Sequence, residues 1–321
     1  MKKLFVGILA MAAFAACATE DTIVTPQGQA IAFGDAFVDN ATKAIIASAG
    51  DIQGFQVWGN VKGSNVTPVP LYGETGAAVT RGGAALGAAW TCGVTRYWTP
   101  SCTFNFAAVA NGTVDDAIDV VNGLPTKIGY TLTTDDNDLI YATQVATTNE
   151  SGAPTTGVNG NKVVAFTFNH LLSKVTFAVD ASEIAKNDYS VVVTDIAVTG
   201  AVNKGVYTVD TTEPITVTGG TWAKTTDAST INQDYYEAAA VSHLLIPVEQ
   251  TLGVTVTYDI KFGETTISSG LTKPGTVNHT FATNTAYTIT AKLSKLNEIQ
   301  FTVAENNGLG AWTDGSGATI N

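Results

Sequence analysis

Residues 163–179 read Val-Val-Ala-Phe-Thr-Phe-Asn-His-Leu-Leu-Ser-Lys-Val-Thr-Phe-Ala-Val. Val164, Phe166 and Phe168 alternate with small or polar neighbours, the period of a strand buried on one face. After the Asn169–Ser173 interruption the alternation returns as Val175, Phe177 and Val179, so the apolar parity has moved from even to odd. A shift of one residue reverses the face to which every side chain points, and a bulge, a turn or a crossing to a second sheet must lie between. A stretch that serves two sheets in succession is the construction of a β-sandwich.

Short alternating runs recur along the whole chain: Ile31 and Phe33; Phe55 and Val57; Phe104, Phe106 and Ala108; Ile196 and Val198; Val254 to Ile260; Tyr287 to Leu293; Ile299, Phe301 and Val303. Gly, Pro, Asn and Ser punctuate them, the pattern of antiparallel sheets joined by turns. One segment, Val114–Val121, has helical spacing through Val114, Ile118 and Val121, with carboxylates early enough to suit a helix N-terminus. Thr147–Asn161, rich in Thr, Gly and Asn, reads as a linker. A length of 321 residues suits two domains. The expectation is an all-β chain of two tandem sandwiches, over residues 30–155 and 156–321.

The N-terminus has a separate character. Lys2 and Lys3 precede an apolar run from Leu4 to Ala16, too short to span a bilayer and typical of a secretory signal over residues 1–16. Cys17 after Ala15-Ala16 resembles the lipobox of bacterial lipoproteins, which implies a diacylated Cys17 as the mature N-terminus; cleavage nearby with Cys17 unmodified is the alternative. Ala18-Thr19-Glu20-Asp21 resembles the surface-export signal of Bacteroidetes lipoproteins, and residues 17–29 read as a polar spacer. The implied location is the outer face of the outer membrane, with membrane contact only through the lipid.

Net charge is −12, from 16 basic and 28 acidic residues, a sign opposed to nucleic acid and to anionic membrane surfaces. The three histidines, His170, His243 and His279, show no metal-ligand spacing, and neither a nucleophile elbow nor a phosphate loop is present. No cofactor, metal or catalytic residue is indicated. His170 sits at the phase change and reads as hydrogen-bonded at a strand bend. Asp135-Asp136-Asn137-Asp138 lacks the Gly and Glu of an EF-hand and reads as a solvated turn. Trp58, Trp98, Trp222 and Trp312 suit either a core or, if exposed, stacking on sugars. Cys92 and Cys102 flank two runs that can pair; a disulfide and two buried thiols are the alternatives in an exported chain.

Several stretches, in order, resemble the fimbrillin family of Bacteroidales. They are Ile31-Ala32-Phe33, Ala41-Thr42-Lys43-Ala44, Gly54-Phe55-Gln56-Val57-Trp58-Gly59, Arg96-Tyr97-Trp98 with Phe104-Asn105-Phe106-Ala107-Ala108, Asp138-Leu139-Ile140-Tyr141-Ala142, Phe168 to Val175, and the Tyr287 strand leading to Trp312. The resemblance implies a fimbrial (type V pilus) subunit with two transthyretin-like domains, exported as a lipoprotein. It further implies that a trypsin-like protease removes an N-terminal strand, here bearing Ile31 and Phe33, and that a strand of another subunit fills the groove. Thr42-Lys43-Ala44 matches the family's processing context, with Lys43 where Arg is usual. The strand of Ile299, Phe301 and Val303, with the 308–321 tail, is the implied donor. Other fimbrial subunits are the implied partners. A non-polymerising anchor or tip lipoprotein, or a glycan-binding module, is the alternative.

Overall fold

The computed structural model describes residues 28–34, 37–38, 52–64, 67–83, 88–110, 118–132, 138–210, 220–226, 228, 230–234, 242–294, 299–305 and 318–319. Among them there is no helix, and the strands form four sheets. The first sheet contains β1 (Phe37–Val38), β2 (Gly54–Lys62), β3 (Val69–Pro70), β4 (Ala77–Arg81), β5 (Trp90–Cys92), β6 (Thr103–Ala110), β9 (Ile140–Thr148), β10 (Pro154–Thr156) and β11 (Thr167–His170). Its main order is β1-β11-β9-β6-β2-β4-β5. A small sheet joins β7 (Asp119–Val121) and β8 (Leu124–Thr131) to β14 (Lys204–Thr208) and β15 (Thr221–Lys224). The remaining two sheets face each other. One holds β17 (Ser242–Leu245), β12 (Ser173–Asp180), β20 (Ala286–Leu293), β21 (Ile299–Glu305) and β22 (Ala318–Thr319), in that order. The other runs β16 (Thr230–Asp234), β13 (Tyr189–Val202), β18 (Glu249–Phe262) and β19 (Thr265–Thr280).

The even-to-odd shift in the sequence is a change of sheet. β11 pairs with β9 in the first sheet, whereas β12 pairs with β17 and, in parallel, with β20. The crossing is made over Leu171 and Leu172, both buried. Two further bonds tie it down: Leu171 donates to the Leu139 carbonyl, and the Trp222 indole donates to the Leu171 carbonyl, each at 2.8 Å. Val175 is in the core beyond the crossing, and Phe177 and Val179 are partly buried against it.

Three apolar cores result. The first is aromatic and lies within the first sheet, with Phe55, Phe104, Phe106, Phe166, Phe168 and Trp98 among its members. The third fills the space between the two facing sheets and is mostly aliphatic, with Val175, Val198, Val254, Val256, Ile289 and Leu293. Between them the second core joins the back of the first sheet, through Trp58, Ala107, Val109 and Tyr141, to Tyr130, Tyr207, Leu244 and Ile246. β6 therefore buries both faces, Phe104, Phe106 and Ala108 in the first core and Ala107 and Val109 in the second. That explains its run of small and apolar residues where a one-sided strand would alternate.

Two expectations are corrected. Thr147–Asn161 is not a linker, because β10 folds back on β9 and the first sheet continues to His170. Its glycines belong to tight turns: Gly152 and Gly157 have φ of +78° and +71°, and a Cβ on Gly157 would stand 2.0 Å from the Val145 carbonyl oxygen. Residues 156–170 thus pack with the first sheet. The helical spacing of Val114–Val121 does not give a helix over its described part, since Asp119–Val121 is β7. The overlooked signal is Asn122-Gly123, both at positive φ (50° and 76°), which closes a β7–β8 hairpin. Residues 114–117 lie outside the described residues.

Candidate functional site

Residues 28–34 are inserted between two other segments of the first sheet. On one side Ala30 bridges Tyr97 in antiparallel sense, with Ile31 N–H donating to the Arg96 carbonyl at 2.8 Å and Trp98 N–H to the Gln29 carbonyl at 3.1 Å. On the other side Phe33 bridges Val164 in parallel sense, through Val164 N–H to the Ala32 carbonyl at 2.8 Å and Gly34 N–H to the Val164 carbonyl at 2.9 Å. Phe37 and Val38 continue the parallel pairing with Thr167 and Phe168. The partner of Phe33 is 131 positions ahead and that of Phe37 is 130 ahead, so the inserted segment carries one extra residue between them.

The side chains explain why the segment sits there. Ile31 and Phe33 are each 5% exposed. Phe33 is ringed by Phe166, stacked at 6.0 Å, and by Phe55 and Phe106, edge-on at the same distance. Few hydrogen bonds and two deeply buried side chains make this a plug held by apolar burial; Ile31 and Phe33 together contribute about 3–6 kcal/mol of transfer free energy.

Val163, alongside, is fixed by the loop before it. Asn159 N–H donates to the Val163 carbonyl at 3.0 Å, and the Asn159 amide oxygen accepts from Val163 N–H at 3.3 Å. The Gly34 position is closed by that pair. A Cβ there would lie 2.3 Å from Val163 Cγ2 and 3.4 Å from Asn159 Nδ2.

The implied processing and lipidation residues, Lys43, Ala44 and Cys17, lie outside the described residues, as does Trp312. Arg81 is on β4 of the first sheet, and Arg96 is in the connection between β5 and β6. Arg81 is buried in β4 with its guanidinium 5.6 Å from the Trp90 ring centroid. Arg96 has an exposed side chain that lies over Tyr72 and donates to the Leu71 carbonyl, while its own carbonyl holds the plug. Burial pushes the Tyr72 hydroxyl well above its ordinary range. The implied donor strand is β21: Phe301 and Val303 are buried in the third core, Ile299 is partly buried, and β20 flanks the strand across seven register positions. The plug and β21 belong to different sheets and different cores.

Cys92 and Cys102 take no part in a disulfide. Their strands do not pair with each other: β5 pairs with β4, while β6, which follows Cys102, pairs with β2 and β9. The Cys92 thiol instead donates to the Val94 carbonyl at 3.2 Å, and Cys102 is buried in the first core.

Asp138 is not on a solvated turn. Its carboxylate accepts from or pairs with His170 Nδ1 at 2.5 Å, both side chains being fully buried at the crossing between sheets. This is the hydrogen-bonded strand bend expected for His170, with its partner now identified. Asp135, Asp136 and Asn137 lie outside the described residues. Trp58 and Trp98 are core residues, 2% and 3% exposed, and offer no sugar-stacking face, while Trp222 is half-buried against Tyr130 and Tyr207. Among the described residues no three of His, Cys, Asp and Glu converge as a metal site requires.

A family model described as fimbrillin-like matches residues 42–306. A fimbrial protein from Bacteroides vulgatus has a similar structure, with a TM-score of 0.54 at 14% identity over 88% of this chain and 99% of that one. A candidate cell adhesion protein from Bacteroides uniformis superposes with a TM-score of 0.51 at 16% identity, over 90% of this chain and 100% of that one. At such identities the likeness is one of fold. No curated protein matches the chain significantly.

Proposed function

Because the chain belongs to the fimbrillin-like family, we propose that it is a surface fimbrial subunit whose plug, residues 28–34 with Phe37 and Val38, belongs to a removable strand. In this reading the chain is exported as a lipoprotein through Cys17 and cleaved after Lys43. Loss of the residues before Ala44 empties the slot beside Val164, and a strand of another fimbrial subunit takes the vacated place. The chain's own β21, with Ile299, Phe301 and Val303, and the tail beyond it are the strand it offers in return.

The observation that carries the reading is the plug itself. It contributes Ile31 and Phe33 to the first core, yet it is attached by two isolated bridges and a two-residue pairing. The family match begins at Thr42, beyond the plug and one residue before Lys43. Main-chain bonds along a replacement strand supply affinity, and its alternate side chains supply specificity. Four or five large apolar residues at about 1.5–3 kcal/mol each place a joint on the order of 10 kcal/mol, so a polymer dissociates only by peeling a whole strand.

The test is to recover the chain from surface preparations and run it boiled and unboiled, with mass spectrometry of its N-terminus. The expected result is an N-terminus at Ala44 and heat-sensitive ladders. A monomer that retains residues 28–38 removes strand exchange and leaves the anchor or tip role.

A further inference from the structure

The occupied slot defines the strand that fits it. Two apolar side chains point inward at Ile31 and Phe33, and the residue after the aromatic points at Val163. Gly34 has no positive φ that would by itself demand glycine; the demand is spatial. A single Cβ there meets Val163 Cγ2 at 2.3 Å, well inside van der Waals contact. Val163 is β-branched and short, and its N–H and carbonyl are both held by Asn159, the first by the side-chain amide oxygen and the second by the backbone N–H, which restrains it from backing away.

From this geometry we infer that Val163 is a specificity gate: the slot takes a strand reading aliphatic–any–aromatic–glycine, supplied by a different subunit. The inference rests on the strand-exchange reading for its biological meaning. The chain's own β21 reads Ile299-Gln300-Phe301-Thr302. Ile299 and Phe301 have the spacing of Ile31 and Phe33, but Thr302 falls where glycine is needed. Beyond the plug, the chain reads aliphatic–any–aromatic–glycine only at Ile260-Lys261-Phe262-Gly263. That copy runs into the β18–β19 turn, with Ile260 paired to Val191 and Ser268 and Gly263 at a φ of +55°, a left-handed conformation that Gly34 does not share. The strand β21 therefore does not fit this slot, which takes a strand of another subunit. Like does not join like in this register.

Two measurements separate the gate from the reading it rests on. In the uncut chain, Gly34→Ala should lower Tm by about 5 °C, and Val163→Ala added to it should recover most of that loss. Equal losses from Gly34→Ala with and without Val163→Ala would overturn the gate. The second measurement uses the full chain carrying a specific protease site within residues 41–50, cut and then incubated with fluorescent peptides. A peptide of residues 27–40 should exchange in, and the same peptide with Gly34→Ala should bind at least about tenfold more weakly. The β21 peptide, residues 299–305, should fail, and its Thr302→Gly form should bind. If Gly34→Ala binds as well as the native peptide, the gate is wrong. If the native peptide does not exchange in at all, strand exchange is wrong, and the Tm cycle still decides what Val163 does.

Discussion

The plug and β21 carry the same anchor, isoleucine and phenylalanine two residues apart, and resolve the same crowding in opposite ways. In the first core the clearance lies on the inserted strand, as Gly34, and the frame supplies the bulk, as Val163. In the third core the frame supplies the clearance. A Cβ on Gly275 of β19 would lie 2.3 Å from the Phe301 ring and 2.6 Å from Ile299 Cγ2. A strand that keeps its own glycine can be exchanged for another that does so. A strand whose clearance is built into the neighbouring strand, as Gly275, needs no glycine of its own. The attachment differs in the same sense, since β21 is flanked by β20 over seven positions while 28–34 holds by bridges.

The largest effect that tests this contrast comes from truncating the two aromatics. Phe33→Ala and Phe301→Ala should each cost about 3–5 kcal/mol, but in different places. Trp90 and Trp98 pack in or against the first core and the third core holds no tryptophan among the described residues. Phe33→Ala should therefore move the urea midpoint seen by Trp fluorescence, and Phe301→Ala should move chiefly the one seen by far-UV circular dichroism. Identical shifts with both probes for both variants would mean that the cores do not act separately.

Asp138→Ala should cost about 3 kcal/mol, because it removes the carboxylate that pairs with the buried His170 ring. The pair stands at the crossing between sheets, so this variant should shift both probes together, which sharpens the contrast with the two phenylalanines.

Gly275→Ala should cost about 2 kcal/mol as Phe301 is displaced. In contrast to Gly34→Ala, its rescue should need a smaller residue on the strand, at Phe301, rather than on the frame. Rescue by a change elsewhere on β19 would break the symmetry proposed between the two sites.

The smallest effect concerns His279, packed on Phe281 and Tyr287 at the rim of the third core. Burial holds its pKa below the ordinary value, so the folded state favours the neutral ring. The unfolded chain then binds the proton more readily, and the stabilisation is present above about pH 6.5 and lost as pH falls through the lowered folded value. The Tm of the native chain should therefore drop slightly more between pH 7 and pH 5 than that of His279→Gln, with the difference confined to the third core.

The sheet-level plan was legible because it is written in side-chain parity. Val164, Phe166 and Phe168 against Val175, Phe177 and Val179 located the crossing within a few residues. Features that depend on distant partners were not legible. Thr147–Asn161 has linker composition, but its glycines are turn residues whose φ and close approach to Val145 appear only once β9 is in place. Asp138 is one acidic residue among several in sequence, and only the fold brings it to His170, 32 positions away. Cys92 and Cys102 are separated by ten positions and look like strand partners, yet β2 and β4 lie between their strands in the sheet. Of the candidate site, Ile31 and Phe33 were readable as a strand, whereas the role of Gly34 is a distance to Val163 and has no sequence signature.

The double burial of β6 gives the molecule an internal clock. Its amides lie between two cores, so isotope exchange at Phe106 or Ala107 requires the sheet to come apart, whereas exchange at the amides of Ile31 and Gly34 requires only that the plug leave. In one sample under fast-reclosing conditions, the protection factors at Ile31 and Gly34 give the equilibrium constant for release of the strand in the intact chain, and those in β6 give the ceiling set by global unfolding. The gap between the two is the range within which a competing strand can work without dismantling the subunit that receives it.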